Sequence, residues 1–206
     1  MGGDEIPGLL QLYVVLHLLL GAPLNTLVNK EHRVPLWYAP GNHTDARNAL
    51  DFLIKEINLP VEVMSDYRSY SSQAEAFVRL MSDEGEERAD EVIARPGHSE
   101  HQLGTVFDVA WAGLPIEYND SRNRKLWSAL EARAHEFGFV ISFPLKAIRE
   151  WPYNNRWSAV VTEYRWEPWH LRYVGLPLAK EIFDAGYLDP QSAVLPQDFY
   201  QPWPDF

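Results

Sequence analysis

Cysteine is absent from the 206-residue sequence. Disulfide bonds and thiolate metal sites are therefore excluded, and any bound metal ion has to be held by histidine and carboxylate side chains. The absence does not assign a compartment, because it is compatible with an exported bacterial protein and with a cytosolic one.

Basic residues are few relative to acidic ones. The 18 Lys and Arg residues are outnumbered by 29 Asp and Glu residues, which gives a formal net charge of -11. Nucleic-acid binding relies on clustered Lys and Arg side chains, and the sequence contains no such cluster. We therefore expect no nucleic-acid partner.

Long apolar runs are also missing, apart from the segment Leu9–Leu20. A membrane-spanning helix needs about 20 apolar residues, so we expect no transmembrane span. A secretory signal would carry positive charge before the apolar run, whereas Asp4 and Glu5 precede this one. We interpret residues 1–26 as an N-terminal helix whose apolar face packs on the core. An unusual export signal or a membrane-surface anchor is the alternative.

The hydrophobic pattern predicts both helices and strands. Apolar residues at helical spacing predict helices over Thr44–Ile57, from Ser72 onward, over Ser121–Phe137 and over Pro177–Asp184. The N-caps of the first three are predicted at Thr44, Ser72 and Ser121. Strands are predicted over Val61–Tyr67, Thr105–Trp111, Phe139–Phe143 and Val160–Trp166. The acidic run Asp83–Arg88 is interpreted as a solvated loop.

Length and composition fit one globular domain, with 46% hydrophobic and 23% charged residues. The helices and strands do not alternate in a regular βαβ series. This order predicts an α+β fold in a single domain, with helices packed against a small antiparallel sheet that carries the functional site. We assign residues 27–187 to this domain and residues 188–206 to a C-terminal strap, rich in proline and aromatic residues, that docks over the surface.

The first stretch whose side chains could form a functional site contains His101 and Asp108. Gly104 lies between them and allows a sharp turn of the backbone, so a loop histidine and a strand aspartate can converge. Val106 and Ala110 share the strand face of Asp108. A carboxylate between small apolar neighbours is costly to bury unless it pairs or binds a metal. Taken alone, such a pair is more often structural than a metal site.

The second stretch is Glu167-Pro168-Trp169-His170. Proline disfavours a helix here, which distinguishes the stretch from the helical HExxH zinc motif. Residues three apart face opposite sides of a regular strand, so Glu167 and His170 can reach one metal only if the chain bulges or turns at Pro168. The alternative is a surface Glu167 and a core Trp169. His101, Asp108 and His170 are the ligand types that suit Zn²⁺, and three ligands leave a fourth position for water.

Both stretches resemble the VanY-type D-alanyl-D-alanine carboxypeptidases, on the motifs Ser99-x-His101-x-x-Gly104-x-x-x-Asp108 and Glu167-Pro168-Trp169-His170-Leu171-Arg172. This family is part of a wider group of zinc peptidases that includes VanX-type dipeptidases and the hedgehog domain. The upstream stretch Asp66-Tyr67-Arg68, continuing to Gln73, is similar to the family's arginine motif. The resemblance extends over about Leu27 to Asp184, and its motifs follow the family's order.

The resemblance implies a metal centre with one Zn²⁺ per chain. His101, Asp108 and His170 would hold the ion. Glu167 would be the general base that takes a proton from the attacking water and later transfers it to the leaving amine. Arg68 would polarise the scissile carbonyl and stabilise the oxyanion that develops there.

The resemblance also implies three substrate-binding residues. Ser99 and Gln73 would help to hold the terminal carboxylate of the substrate or its nearby backbone. Trp169 would pack behind the site and orient His170. The connection from Phe143 to Val160 is longer than is usual in the family, and we interpret it either as a surface hairpin or as a lip that narrows the cleft.

The implied activity is that of a zinc D,D-carboxypeptidase, which removes the terminal D-alanine from peptidoglycan stem peptides or precursors. An L,D-carboxypeptidase or a D-Ala-D-Ala dipeptidase would use the same metal site. A non-catalytic zinc-containing wall-binding module is a different class, and it would need neither Glu167 nor Arg68. The substrate favours the bacterial cell envelope or an extracellular location, while the lack of a clear signal peptide leaves a cytoplasmic location open.

Overall fold

The computed structural model describes residues 22–146 and 164–203. The helices are α1 (Thr44–Ile57), α2 (Tyr70–Glu84), α3 (Glu86–Val92), α4 (Ser121–Arg133) and α5 (Leu176–Asp184). The strands are β1 (Thr26–Leu27), β2 (Val61–Ser65), β3 (Val106–Trp111), β4 (Phe139–Ile141), β5 (His170–Tyr173) and β6 (Gln201–Pro202). Short 3₁₀ turns cover Glu100–Leu103, Ala134–Phe137 and Pro196–Phe199. The predicted α+β class, in a single domain, is confirmed.

The main sheet has the strand order β2-β3-β5-β4, and every neighbouring pair is antiparallel. β1 and β6 form a separate parallel pair that joins the two ends of the described chain. β3 and β5 are central, and Asp108 on β3 is the cross-strand partner of His170 on β5. The pairing of β2 with β3 shifts register between Val63 and Ser65, just before the chain leaves the sheet.

The two faces of the sheet have different roles because side chains alternate along a strand. Phe107 and Val109 of β3 and Leu171 of β5 are fully buried in the hydrophobic core. Helices α1, α4 and α5 cover this face with Leu50, Leu53, Leu126, Trp127, Leu130, Ala179 and Ile182. The opposite alternation places Asp108 and His170 away from the core, so packing of the sheet fixes their direction.

The N-caps differ from the predicted ones in each of three cases, although α1 and α4 begin at Thr44 and Ser121 as predicted. The N-caps are His43, Ser69 and Asp120, whose side chains accept hydrogen bonds from the backbone N–H groups of Ala46, Ser72 and Arg122. The predictions of Thr44, Ser72 and Ser121 as caps were therefore wrong. In each case an earlier polar residue in extended conformation was available to cap the helix, and the predicted residue lies in the first turn.

The prediction of a loop over the acidic run was also wrong, because the second half of this run begins α3 at Glu86. Glu86 and Glu87 lie in the first turn of that helix, where negative charge is favourable. Arg88 pairs with Glu84 at 3.4 Å and with Glu91 at 3.0 Å. The helix predicted over Ser121–Phe137 ends earlier, at Arg133, and continues as a 3₁₀ turn to Phe137.

Several predictions fall on residues outside the described ranges. They are the N-terminal apolar helix before residue 22, most of the long connection after Phe143 and the first part of the strand predicted over Val160–Trp166. The described part of the C-terminal strap contributes β6 and the buried side chains of Tyr200 and Trp203. Across residues 22–146 and 164–203, no helix combines the length and the apolar character that a membrane crossing requires.

Candidate metal centre

The three predicted metal ligands converge. Asp108 and His170 lie opposite each other on β3 and β5, and His101 comes from the 3₁₀ turn that precedes β3. One ligand atom from each of the three residues lies within 4.8 Å of the others. The sheet register and one tight turn therefore bring together residues that are up to about seventy positions apart.

Glu167 reaches the same place through a turn. The N–H of His170 donates to the carbonyl of Glu167 at 3.1 Å, and Pro168 and Trp169 occupy the turn between them. The irregularity predicted at Pro168 is therefore confirmed. As a result, the Glu167 carboxylate lies on the side of the ligands, with Oε2 at 3.7 Å from His170 Nδ1.

The hydrogen bonds of the two imidazoles define which nitrogen faces the centre. Nδ1 of His101 lies 2.7 Å from the carbonyl oxygen of Asp66, which can only accept, so this nitrogen donates. Nε2 of His170 lies 3.0 Å from Glu100 Oε2 and donates to it in the same way. In the neutral rings, the lone pairs are therefore on Nε2 of His101 and on Nδ1 of His170.

Both lone pairs point at the Asp108 carboxylate. Nε2 of His101 lies 3.2 Å from Asp108 Oδ2, and Nδ1 of His170 lies 3.1 Å from Asp108 Oδ1. Asp108 Oδ1 is buried and makes no hydrogen bond within residues 22–146 and 164–203. Lone pairs that face an anion repel it unless a cation or a proton lies between them. The donor set therefore fits a metal ion, and two imidazoles with one carboxylate suit Zn²⁺.

The pKa shifts of His170 and Asp108 in the metal-free chain also indicate that the centre favours positive charge. Burial lowers the pKa of His170, but the adjacent carboxylates of Asp108 and Glu100 outweigh this effect and raise the pKa to about 10, so that in the metal-free chain a proton takes the place of the cation. Burial opposes ionisation of Asp108, yet the two imidazoles hold the pKa of this carboxyl well below its usual range. The centre thus keeps a negative carboxylate and attracts a cation.

Glu167 differs from Asp108 in its protonation behaviour. Burial raises the pKa of Glu167 to about 7, and the nearby carboxylates Asp108 and Glu100 act in the same direction, while His170 and Arg68 oppose them. A carboxyl group whose pKa lies near neutrality can both accept and release a proton. This behaviour suits proton transfer better than permanent charge.

Arg68 is held beside the centre by two hydrogen bonds. Its Nη1 donates to Gln73 Oε1 at 2.9 Å, and its Nη2 donates to Ser65 Oγ at 2.9 Å. Gln73 is 1% exposed and its Nε2 donates to the carbonyl of Ala94 at 2.6 Å. Both polar atoms of Gln73 are thus engaged by the protein, and the side chain supports Arg68. Its predicted contact with the substrate stays a prediction.

All eight predicted site residues line one cavity of about 400 Å³, namely Arg68, Gln73, Ser99, His101, Asp108, Glu167, Trp169 and His170. Ser99 is nearly buried, and its Oγ accepts from the N–H of His101 at 3.4 Å. The ring of Trp169 packs against Tyr118 and Trp127. Phe143 lies against the ring of His170, with 4.8 Å between centroids. The substrate contacts predicted for Ser99 and Trp169 stay predictions.

Two charged residues of the site received no role in the sequence analysis. Glu100 is 3% exposed and Arg172 is fully buried, and the two form an ion pair directly behind His170. Burial opposes ionisation of Glu100, but Arg172 and His170 outweigh it and lower the pKa of Glu100 to about 2. The alternation of β5 could have indicated Arg172, because it shares a strand face with His170.

Gly104 is needed for the turn that presents His101. Its φ is +77°, and an added Cβ would lie 2.0 Å from the carbonyl oxygen of Gly41, whose chain is tied in place by the hydrogen bond from His43 N to Gly104 O. We expect Gly104→Ala to lower the free energy of unfolding by about 3 kcal/mol or more, since a backbone clash is added to the strain of a left-handed residue. Urea denaturation measures this loss.

Gly113 provides the matched control, with φ +78° and nothing within 4 Å of an added Cβ. Gly113→Ala should therefore cost only the left-handed strain, about 1–2 kcal/mol. Equal losses for the two variants would contradict the close approach of Gly104 to Gly41.

Comparison with known sequences gives a consistent result. The family model described as VanY, D-alanyl-D-alanine carboxypeptidase, matches residues 42–176, a range that includes all eight predicted site residues. The chain is 32% identical over 157 residues to the putative carboxypeptidase YodJ of Bacillus subtilis, which corresponds to 75% of this chain and 53% of YodJ. The chain thus spans about half the length of this curated relative.

Solved structures have the same fold. The LdcB LD-carboxypeptidase, whose structure reveals the molecular basis of peptidoglycan recognition, is 31% identical, with a TM-score of 0.64 over 81% of this chain and 86% of LdcB. A variant of the vancomycin-resistance D,D-pentapeptidase VanY, determined in complex with Zn(II), is 21% identical, with a TM-score of 0.65 over 86% of this chain and 98% of VanY. With the family model matched over most of the chain, this protein belongs to the VanY D-alanyl-D-alanine carboxypeptidase family.

Proposed function

We propose that this protein is a zinc-dependent D,D-carboxypeptidase that removes the terminal D-alanine from peptidoglycan stem peptides or precursors. The observation that carries the proposal is the convergence of His101, Asp108 and His170 with Glu167 and Arg68 around one cavity. A zinc ion at such a site acts as a Lewis acid on the scissile carbonyl and lowers the pKa of water to about 7. Because the proposed substrate is a wall component, we also propose that the protein acts in the bacterial cell envelope or outside the cell.

Glu167 is the proposed general base. It is not needed as a ligand, because the three-residue group leaves it at the edge of the centre, 3.7 Å from His170 Nδ1. Its carboxylate takes a proton from the attacking water and returns it to the departing amine of D-alanine. The pKa near 7 supports both steps, since the group has to change its protonation state twice in each cycle.

Arg68 is the proposed electrophilic partner. Gln73 and Ser65 bind two of its nitrogens and leave the guanidinium facing the cavity that the ligands share. A fixed cation stabilises the negative charge that develops on the carbonyl oxygen as the tetrahedral intermediate forms, without a cost of reorganisation during the reaction. The support by Gln73 is therefore part of the proposed mechanism.

A non-catalytic zinc module agrees less well with this arrangement. A structural zinc site is normally closed by four protein ligands. The described residues offer a group of three. The partly buried Glu167 and the oriented Arg68 would also serve no purpose at a structural site.

An L,D-carboxypeptidase is the second candidate, and the likeness to LdcB at 31% identity favours it. This enzyme would use the same ligands, base and arginine, but it would cleave the terminal D-alanine from a tetrapeptide rather than from a pentapeptide. The difference concerns the residue that precedes the scissile bond.

Mass spectrometry of defined stem peptides incubated with the zinc-loaded protein distinguishes the candidates. A D,D-carboxypeptidase converts pentapeptide to tetrapeptide and stops, whereas an L,D-carboxypeptidase converts tetrapeptide to tripeptide. A dipeptidase cleaves free D-Ala-D-Ala alone. No cleavage of any of these peptides by the zinc-loaded protein would overturn the proposed enzyme, and cleavage of tetrapeptide alone would transfer the assignment to the second candidate.

A further inference from the structure

We infer that Glu100 and Arg172 act as a buried positioning pair that fixes the metal-facing nitrogen of His170. The inference rests on the metal centre of the proposed function. Glu100 Oε2 lies 3.0 Å from His170 Nε2, and its other oxygen, Oε1, pairs with Arg172 Nη1. The carboxylate thus uses one oxygen for each partner and cannot rotate without losing one of them.

Arg172 is anchored independently of the site. Its Nη2 donates to the carbonyl oxygens of Leu24, at 3.1 Å, and of Thr26. The ring of Tyr200 lies over the guanidinium, with 4.0 Å from the guanidinium carbon to the ring centroid. Both end segments of the described chain therefore hold this arginine, and a rigid line of contacts runs from them through Glu100 to His170.

Charge explains why the pair consists of these residue types. A carboxylate behind a ligating histidine fixes the ring orientation and its tautomer and makes the ring a stronger ligand. A buried carboxylate by itself is costly, and the fully buried Arg172 neutralises it. The pair therefore supplies orientation to His170 without adding net charge beside Asp108 and Glu167.

The other ligating histidine, His101, is oriented by a different kind of acceptor. His101 donates from Nδ1 to the backbone carbonyl of Asp66 and presents Nε2 to the centre. His170 donates from Nε2 to a side chain and presents Nδ1. Because a backbone carbonyl cannot be removed by substitution, Glu100 is the position at which the orientation of a ligand can be tested.

Glu100→Gln is the informative variant. A glutamine has one acceptor oxygen, and the guanidinium of Arg172 attracts it. The NH₂ group then faces His170 Nε2 and selects the tautomer with its proton on Nδ1, where the metal has to bind. We expect the affinity for zinc, measured by competition with a chromogenic chelator, to fall roughly 10- to 100-fold. The visible absorption of the cobalt-substituted protein should change in band position, which a loss of stability alone would not cause.

Asn123→Ala is the matched control. Asn123 is fully buried on α4, where its side chain accepts from Trp111 N and donates to the carbonyl of Pro115, away from the metal centre. This variant loses a buried polar side chain, as Glu100→Gln loses a buried charge, but its zinc affinity and cobalt spectrum should equal those of the wild type.

A double variant, Glu100→Leu with Arg172→Met, tests the positioning role if Glu100→Gln does not fold. It leaves no unpaired buried charge, and such apolar replacements of buried ion pairs are often well tolerated. It also leaves His170 without its acceptor, so zinc should still bind roughly 10- to 100-fold more weakly. Zinc affinity within about threefold of the wild type, in a folded variant, would overturn the inference.

The experiment separates this inference from the proposed function. A wild-type protein that does not bind zinc would defeat the metal centre itself. Zinc binding by the wild type together with unchanged binding in the folded Glu100 variants would defeat only the positioning role.

Discussion

Replacement of Glu167 by glutamine should reduce hydrolysis of the stem peptide by roughly 10²- to 10⁴-fold while zinc remains bound. Glutamine has nearly the same shape as glutamate but cannot take up a proton from water. Glu167 also lies beside the group of three donors rather than within it. We therefore expect kcat to fall and the zinc affinity to stay within a small factor of the wild type.

Two measurements on the same preparation check this expectation. Steady-state release of D-alanine reports the chemistry, and metal analysis after gel filtration reports zinc content. Glu91→Gln is the control, because Glu91 lines the same cavity and belongs to the arginine pairs of α3 rather than to the metal group. A Glu167→Gln protein with full turnover would refute the assigned mechanism, whereas loss of zinc along with activity would make Glu167 a ligand.

The ligands were predicted from the resemblance to the VanY family, because each of the two stretches taken alone is more often structural; local chemistry indicated only how the side chains could converge. Asp108 follows the alternation of its strand, and the glycine before it allows the turn that carries His101. Pro168 excludes a helix, so a turn was the only way for Glu167 and His170 to meet, and the hydrogen bond from His170 N to Glu167 O closes that turn. Both turns depended on residues only a few positions apart, whereas the convergence of the two stretches on one ion was implied by the resemblance.

The contacts of the positioning pair could not be predicted in the same way, although strand alternation could have indicated Arg172 itself. The contacts of Arg172 with the carbonyls of Leu24 and Thr26 join residues that are far apart in sequence, and the partners are backbone atoms without a sequence signature. Glu100 alone resembles any acidic residue at the start of a turn. Its meaning depends on the tertiary contact with His170, which no spacing rule provides.

The predictions of the N-cap residues were wrong for a related reason. Several residues with capping side chains stand next to one another, as in Ser69-Tyr70-Ser71-Ser72, and the sequence does not say which of them is extended. Ser69 has φ -65° and ψ 162° and therefore caps α2. The choice follows from the preceding chain, where Arg68 N donates to the carbonyl of His101.

Removal of the metal should abolish hydrolysis and also destabilise the fold. Nε2 of His101 and Nδ1 of His170 lie 3.2 and 3.1 Å from the Asp108 carboxylate, and a metal ion bonded to all three stabilises the folded state only, because unfolding separates the ligands. Zinc at a hundredfold excess over its Kd contributes about 2.7 kcal/mol. In a chain of this size that corresponds to an increase of roughly 5–10 °C in Tm. Thermal denaturation with and without 1,10-phenanthroline measures the difference.

The pattern of restoration and the histidine variants make this test specific. Zinc or cobalt should restore turnover to the chelated protein and magnesium should not, because imidazole nitrogens suit the first two ions and magnesium prefers oxygen ligands.

The histidine variants test the ligand assignment. His170→Ala should eliminate the zinc-dependent increase in Tm. His98→Ala should retain it, because His98 lines the same cavity but donates from Nδ1 to the carbonyl of Asn29 and stands outside the group of three donors. Full turnover in the presence of the chelator, or a zinc response that survives in His170→Ala, would contradict the metal centre. The site would then have to be explained by its carboxylates alone, and Asp108 and Glu167, with pKa values held respectively below and above the ordinary range, would be the pair to test.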